Sequence, residues 1–239
     1  MLNKEALEYL VKLGYQEETL VETDQGLFSK TPLTRVKYPT AKTLIVSNLT
    51  SIVDFIKANI DQYEGRLLVQ VVNHKEISVL TPLSLDRDRE EIIRAVAILP
   101  DNIRYDNFIG TEQFNIMLQS GFAENEHKKL LLKFTGLIKD EAVKSTGDDG
   151  ISQKITIKTG VASVGEAQVP NPVTLAPFRT FLELEQPESK FIFRMQEGPR
   201  AALYEADGGA WKNEAMRRIK EYLEKNLSNK LLQQVNIIS

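Results

Sequence analysis

The chain has 239 residues, 42% hydrophobic and 26% charged, with a formal net charge of −3 and no cysteine. That balance supplies a folded core and excludes a disordered polyelectrolyte. The lack of cysteine excludes disulfides, thiolate metal sites and cysteine nucleophiles.

In chain order, the first predicted element is a short amphipathic helix. Leu7, Leu10 and Val11 share one face, and Gly14 stops it. Glu5 and Glu8 interrupt any apolar run there, so the stretch predicts neither a secretory signal nor a transit peptide. No segment approaches the ~20 apolar residues that span a bilayer. A cytoplasmic location without membrane contact is the expectation. Residues 15–40 read as loop with one short strand. Leu44-Ile45-Val46 precedes a helix in which Ile52, Ile56 and Ile60 repeat every four residues, with Ser51 and Asp54 as a capping pair. Leu67 to Val72 and Ile77 to Leu80 flank Asn73-His74-Lys75-Glu76 and predict a hairpin. Ile92 to Leu99 reads as a central strand, with a helix as the alternative.

Thr111 can cap a helix carrying Phe114, Met117, Leu118 and Gly121. Leu130, Leu131, Phe134, Leu137 and Ile138 continue the helical spacing. The segment from Ser145 to Gly150 then breaks the chain. Beyond it strands dominate. Ile155 and Ile157 alternate with polar residues, and Pro170 and Pro172 bar a central strand. Thr180 to Glu185 and Lys190 to Met195 predict a second hairpin that Ala201 to Glu205 extends. A closing helix presents Trp211, Ala215, Ile219, Tyr222 and Leu223, and Val235 to Ile238 adds an edge strand.

These elements predict an α+β fold, an antiparallel β-sheet with helices packed against it and a β-rich C-terminal half. Residues 1–239 form a single domain, with candidate lobes 1–146 and 147–239.

The last third has a further signature. It combines Asp148-Asp149-Gly150, Val169-Pro170-Asn171-Pro172, Arg179-Thr180-Phe181, Glu185-Gln186-Pro187, Phe191 with Phe193-Arg194, and the run from Ala206-Asp207-Gly208-Gly209 to Lys212. With Leu49 to Ile56 and Glu112-Gln113-Phe114 upstream, it resembles the YfdQ family of phage and prophage proteins, here of the Gram-positive type. The likeness spans roughly residues 45–225. It implies a phage origin and a cytoplasmic setting in a bacterial host. The family supplies no established catalytic residues to carry over.

Chemistry has few footholds. The two histidines, His74 and His127, lie in a turn and at a helix start, and both read as exposed polar residues. No nucleophile elbow, phosphate loop or dinucleotide fingerprint occurs. Asp149 with Glu188 and Lys190 outlines a metal-dependent nuclease, but turn chemistry explains the same residues. Arg179 and Arg194 sit in apolar surroundings. They read as ion pairs with Glu183 or Glu185 or as an intersubunit contact, or as a fork for a phosphate or carboxylate.

The leading expectation is a non-enzymatic protein without cofactor or metal. It acts as a homo-oligomer or by binding a host or phage protein, with Phe181, Phe191, Phe193, Trp211 and Tyr222 as interface candidates. The alternative is a nucleic-acid accessory protein of replication, recombination or anti-defence, using Arg35, Lys37, Arg217 and Arg218, together with Lys42.

Overall fold

A computed structural model describes residues 4–15, 20–24, 26–29, 40–84, 87–136, 143–148, 153–159, 162–168, 170–196 and 198–239. The chain divides into two compact units, Met1–Thr40 and Ala41–Ser239. The first holds helix α1 (Lys4–Tyr15) and a hairpin of β1 (Leu20–Thr23) with β2 (Gly26–Ser29).

The second unit begins with β3 (Leu44–Val46), α2 (Leu49–Ala58), β4 (Leu67–Asn73), β5 (Glu76–Leu80) and β6 (Glu91–Val96). It continues with β7 (Ile109–Gly110), α3 (Thr111–Gly121), α4 (Glu126–Gly136), β8 (Val143–Asp148), β9 (Gln153–Thr159) and β10 (Ala162–Gln168). It closes with β11 (Val173–Leu175), β12 (Ser189–Gln196), β13 (Arg200–Glu205), α5 (Trp211–Asn226), α6 (Asn229–Leu232) and β14 (Val235–Ile238). The fold is α+β, as the alternation of the two periodicities predicts. No helix among the described residues is long and apolar enough to cross a membrane.

Two sheets organise this unit. The five-stranded sheet has the order β14-β4-β5-β6-β3. Its centre is antiparallel as expected, but both edges are parallel: β14 beside β4 and β3 beside β6. Each edge strand reaches its place through a helical connection, α2 after β3 and α5 and α6 before β14, which is what parallel pairing needs. One face carries Val69, Val71, Ile77, Val79, Ile93 and Ala95, and α2 and α5 bury it with Ile52, Ile56, Ile219 and Leu223. The four-stranded sheet, β11-β12-β13-β7, is antiparallel throughout. Phe191, Phe193 and Met195 alternate inward along β12, against Phe114 and Leu118 of α3 and Leu131 and Phe134 of α4. Gly121 ends α3 against Ile103, whose Cγ1 lies 2.7 Å from where a Cβ would stand, so only glycine fits.

Several expectations change. The N-cap of α2 is Asn48, whose side chain accepts from the Ser51 N–H; Ser51 is already helical. Gly110 rather than Thr111 precedes α3, without a side-chain cap. The segment expected to break near residue 145 is strand β8, paired with β9. Residues on both sides of 147 share one apolar cluster, α3 and α4 upstream with β11–β13 downstream, so that point divides no core. Thr180 to Glu185 forms no strand. Its backbone is bound instead by the buried Gln186 side chain, which accepts from the N–H groups of Arg179 and Thr180 and donates to the carbonyls of Phe181 and Leu184.

The Phe193 ring lies against Phe114 and Phe134, 5.7 and 6.1 Å between centroids. Phe193→Ala is expected to cost about 3–5 kcal/mol, because neighbours on both sides cannot collapse into the gap. Urea unfolding measures it; a loss below about 1 kcal/mol would contradict this packing.

Candidate functional site

The densest polar chemistry in the second unit gathers where α5 begins. Arg179 is only 6% exposed. Its guanidinium lies 3.7 Å from the centre of the Trp211 ring and 5.9 Å from that of Phe191. Nη1 donates to Glu205 Oε1 at 2.9 Å, and Nη2 donates to Ser189 Oγ and to the Pro187 carbonyl. Burial pulls the arginine down from its ordinary pKa, opposed by Tyr105 and Glu205; the group remains a cation. The same burial pushes the Tyr105 hydroxyl well above its ordinary value, against the pull of the Arg179 charge.

His74 stands in the β4–β5 turn with its ring edge-on to Trp211, 4.7 Å between centroids. Its backbone carbonyl accepts from the Thr180 hydroxyl. His74, Tyr105, Arg179, Glu205 and Trp211 line a cleft of about 340 Å³, together with Leu99, Pro100, Ile103, Phe178 and Lys212. Two buried N–H groups here, Arg179 Nε and the Trp211 indole, have no acceptor in hydrogen-bond geometry among the described residues, although the Tyr105 hydroxyl stands beside the guanidinium. Each such orphan costs about 1–3 kcal/mol of lost hydration.

The turn before α5 sets this geometry. Gly208 and Gly209 adopt φ of 61° and 81°, open to glycine without strain, and Asp207 Oδ1 accepts from the Gly209 N–H. The turn therefore places Trp211 and Lys212 in the first turn of the helix, beside the cleft.

Other sequence candidates separate from this cluster. Phe181, Phe191 and Phe193 are at most 2% exposed, and Trp211 is covered by Arg179. These rings are spent on the chain's own core, which corrects their expected role at an interface. Tyr222 is partly buried, its hydroxyl against that of Thr50. Arg179 pairs with Glu205, not with Glu183 or Glu185. Glu183 instead accepts from the N–H groups of Leu49 and Thr50 at the start of α2, and Glu185 pairs with Arg218. Arg194 has no carboxylate partner among the described residues. Arg217 and Arg218 lie on α5 and are held by Glu214, Glu221 and Glu185. A phosphate would have to displace those carboxylates. Arg35, Lys37 and Asp149 lie outside the described residues.

The nuclease grouping gains no geometry. Glu188 accepts from Asn125, and among the described residues no three His, Asp or Glu side chains gather to hold a metal ion. Neither histidine is simply an exposed polar residue. His127 Nδ1 accepts from the Thr174 N–H at 2.7 Å, fastening α4 to β11. Lys128 is 2% exposed and donates to the Gln119 and Phe122 carbonyls at the end of α3.

Burial first, then the charges of Lys75, Lys212 and Arg179, lower the His74 pKa below its ordinary 6.5. The unfolded chain therefore binds this proton more tightly than the folded one. The contribution of His74 to stability is complete above pH 6.5 and declines as pH falls through that value. An NMR titration is expected to place its midpoint below 6.5, and Lys212→Ala is expected to move it upward. A midpoint at or above 6.5 would contradict the environment described. Comparison with known proteins gives no match to a family model, a curated protein or a solved structure.

Proposed function

We propose that this protein is a non-enzymatic phage or prophage protein of the bacterial cytoplasm that acts by associating with itself, through the β3 edge of its five-stranded sheet. The edge carries the proposal. Among the described residues β3 pairs on one side only, with β6, and its Leu44 and Ile45 are 52% and 76% exposed. A strand with open backbone donors and acceptors and apolar side chains is a template for another strand. Antiparallel addition of β3 to β3 of a second copy satisfies a two-fold axis, because each edge then contacts the same edge of its partner.

Three residues alone fall short of the roughly 1,200–2,000 Å² that a stable interface buries. The sheet face turned away from the α2 and α5 core supplies more. Along it the register sets Ile45 beside Arg94, then Ser78, Gln70 and Ile238. Beside the edge Arg94 is held by Glu76 and Glu91, and Ser78 at the centre donates to Glu91, so these polar groups are satisfied within the chain. The phage setting rests on the resemblance of the last third to YfdQ proteins. A partner of host or phage origin would use the same edge.

Size-exclusion chromatography with light scattering tests the reading. A dimer or larger species is expected at micromolar concentration, with Ile45→Lys shifting it to monomer. The side chain is exposed, so the variant keeps its fold, verified by circular dichroism. A strict monomer at every concentration would remove self-association.

A further inference from the structure

The cleft at the start of α5 holds two donors that the fold itself does not use. The Arg179 fork is occupied by Glu205, Ser189 and the Pro187 carbonyl, but among the described residues nothing accepts from its Nε–H or from the Trp211 indole N–H. The two residues are 6% and 7% exposed. Buried donors are almost always satisfied, so a neighbouring pair of orphans points to an acceptor from outside the chain.

Charge and the unused donors together decide which acceptor. Arg179 is balanced by Glu205, while among the described residues Lys212 has no carboxylate within ion-pair reach. The Lys212 side chain folds over the glycine turn, its ammonium 3.9 Å from where a Cβ on Gly209 would stand and 5.8 Å from the centre of the Trp211 ring. The N-terminus of α5, a helix of 16 residues, adds its own positive end. Against these stands Asp207, whose Oδ1 already accepts from the Gly209 N–H. His74, held below its ordinary pKa, contributes a neutral ring at pH 7. The formal charges cancel, Arg179 and Lys212 against Glu205 and Asp207, so the two unused donors and the helix end set the preference for an anion. Its apolar part would meet Leu99, Ile103 and Phe178, which also line the cleft.

We propose that this cleft binds the oxyanion of a small molecule, a carboxylate or a phosphate monoester, accepting from the Arg179 and Trp211 N–H groups beside the Lys212 ammonium. The site is separate from the β3 edge and does not depend on self-association.

Trp211 is the chain's single tryptophan, so its indole N–H gives one resolved signal and its fluorescence reports on the cleft alone. The full chain is titrated with inorganic phosphate, phenyl phosphate and benzoate at constant ionic strength. At least one probe is expected to move the indole N–H resonance saturably, with a Kd at or below about 1 mM. Phenyl phosphate ahead of benzoate identifies a phosphate ester, and the reverse order a carboxylate. Lys212→Ala, at an exposed position, is expected to keep the unfolding midpoint and weaken binding about tenfold, as loss of a charge-assisted contact requires. No saturable shift with any of the three probes would overturn the proposal and leave the two donors to buried water. Equal binding by Lys212→Ala would overturn it too, because the anion would then lie elsewhere.

Discussion

A guanidinium taken out of water must be given back almost everything water supplied, and Arg179 imposes that demand on the second unit. Its side chain is 7% exposed. The penalty for burying an ion is several kcal/mol, offset only when hydrogen bonds and opposite charge are all in place. Here they come from separate pieces of chain: Glu205 ends β13, Ser189 begins β12, Pro187 precedes it, and Trp211 opens α5. None of these elements can shift alone without stranding the charge. The arginine therefore fixes the four-stranded sheet against the helix that covers the five-stranded one.

The chain from Phe178 to Ser189 is irregular for the same reason. It leaves β11, delivers Arg179 to its partners and crosses to the other core, where Phe181 is 1% exposed. On the way its side chains do the work of a ladder. Gln186 binds the segment's own backbone, the Thr180 hydroxyl holds the His74 carbonyl, and Glu183 caps α2 from 134 positions downstream.

Those long-range contacts mark the limit of what the residue pattern discloses. Alternation and helical spacing are local, and they locate the β4–β5 hairpin, α3, β12, β13, α5 and even the edge strand β14. Thr180 to Glu185 has strand composition, but its conformation is set by a glutamine side chain and by residues more than a hundred positions away. Ser51 and Asp54 imitate a capping pair one turn inside the helix that Asn48 caps. Arg179 announces itself by sitting among apolar neighbours, which makes a partner necessary. That the partner is Glu205 rather than the nearer Glu183 or Glu185 follows from the β12–β13 register and from nothing in local spacing. Tyr105 carries no sequence signal at all; its role beside the guanidinium exists only once the loop before β7 is folded.

The fate of the arginines also separates the chain's architecture from its contacts with the outside. Arg94, Arg179, Arg217 and Arg218 are each bound to carboxylates of the same chain. Their charge is consumed internally, so a count of basic residues overstates the attraction for polyanions. Exposed pairs of this kind contribute little stability and are screened by salt. What the described residues leave without a partner is of another kind: one side of β3 with its exposed Ile45, and the Lys212 ammonium and buried N–H groups of the cleft. With Arg217 and Arg218 held by carboxylates, α5 offers little free guanidinium charge, and the open side of β3 and the cleft offer backbone groups and N–H donors instead.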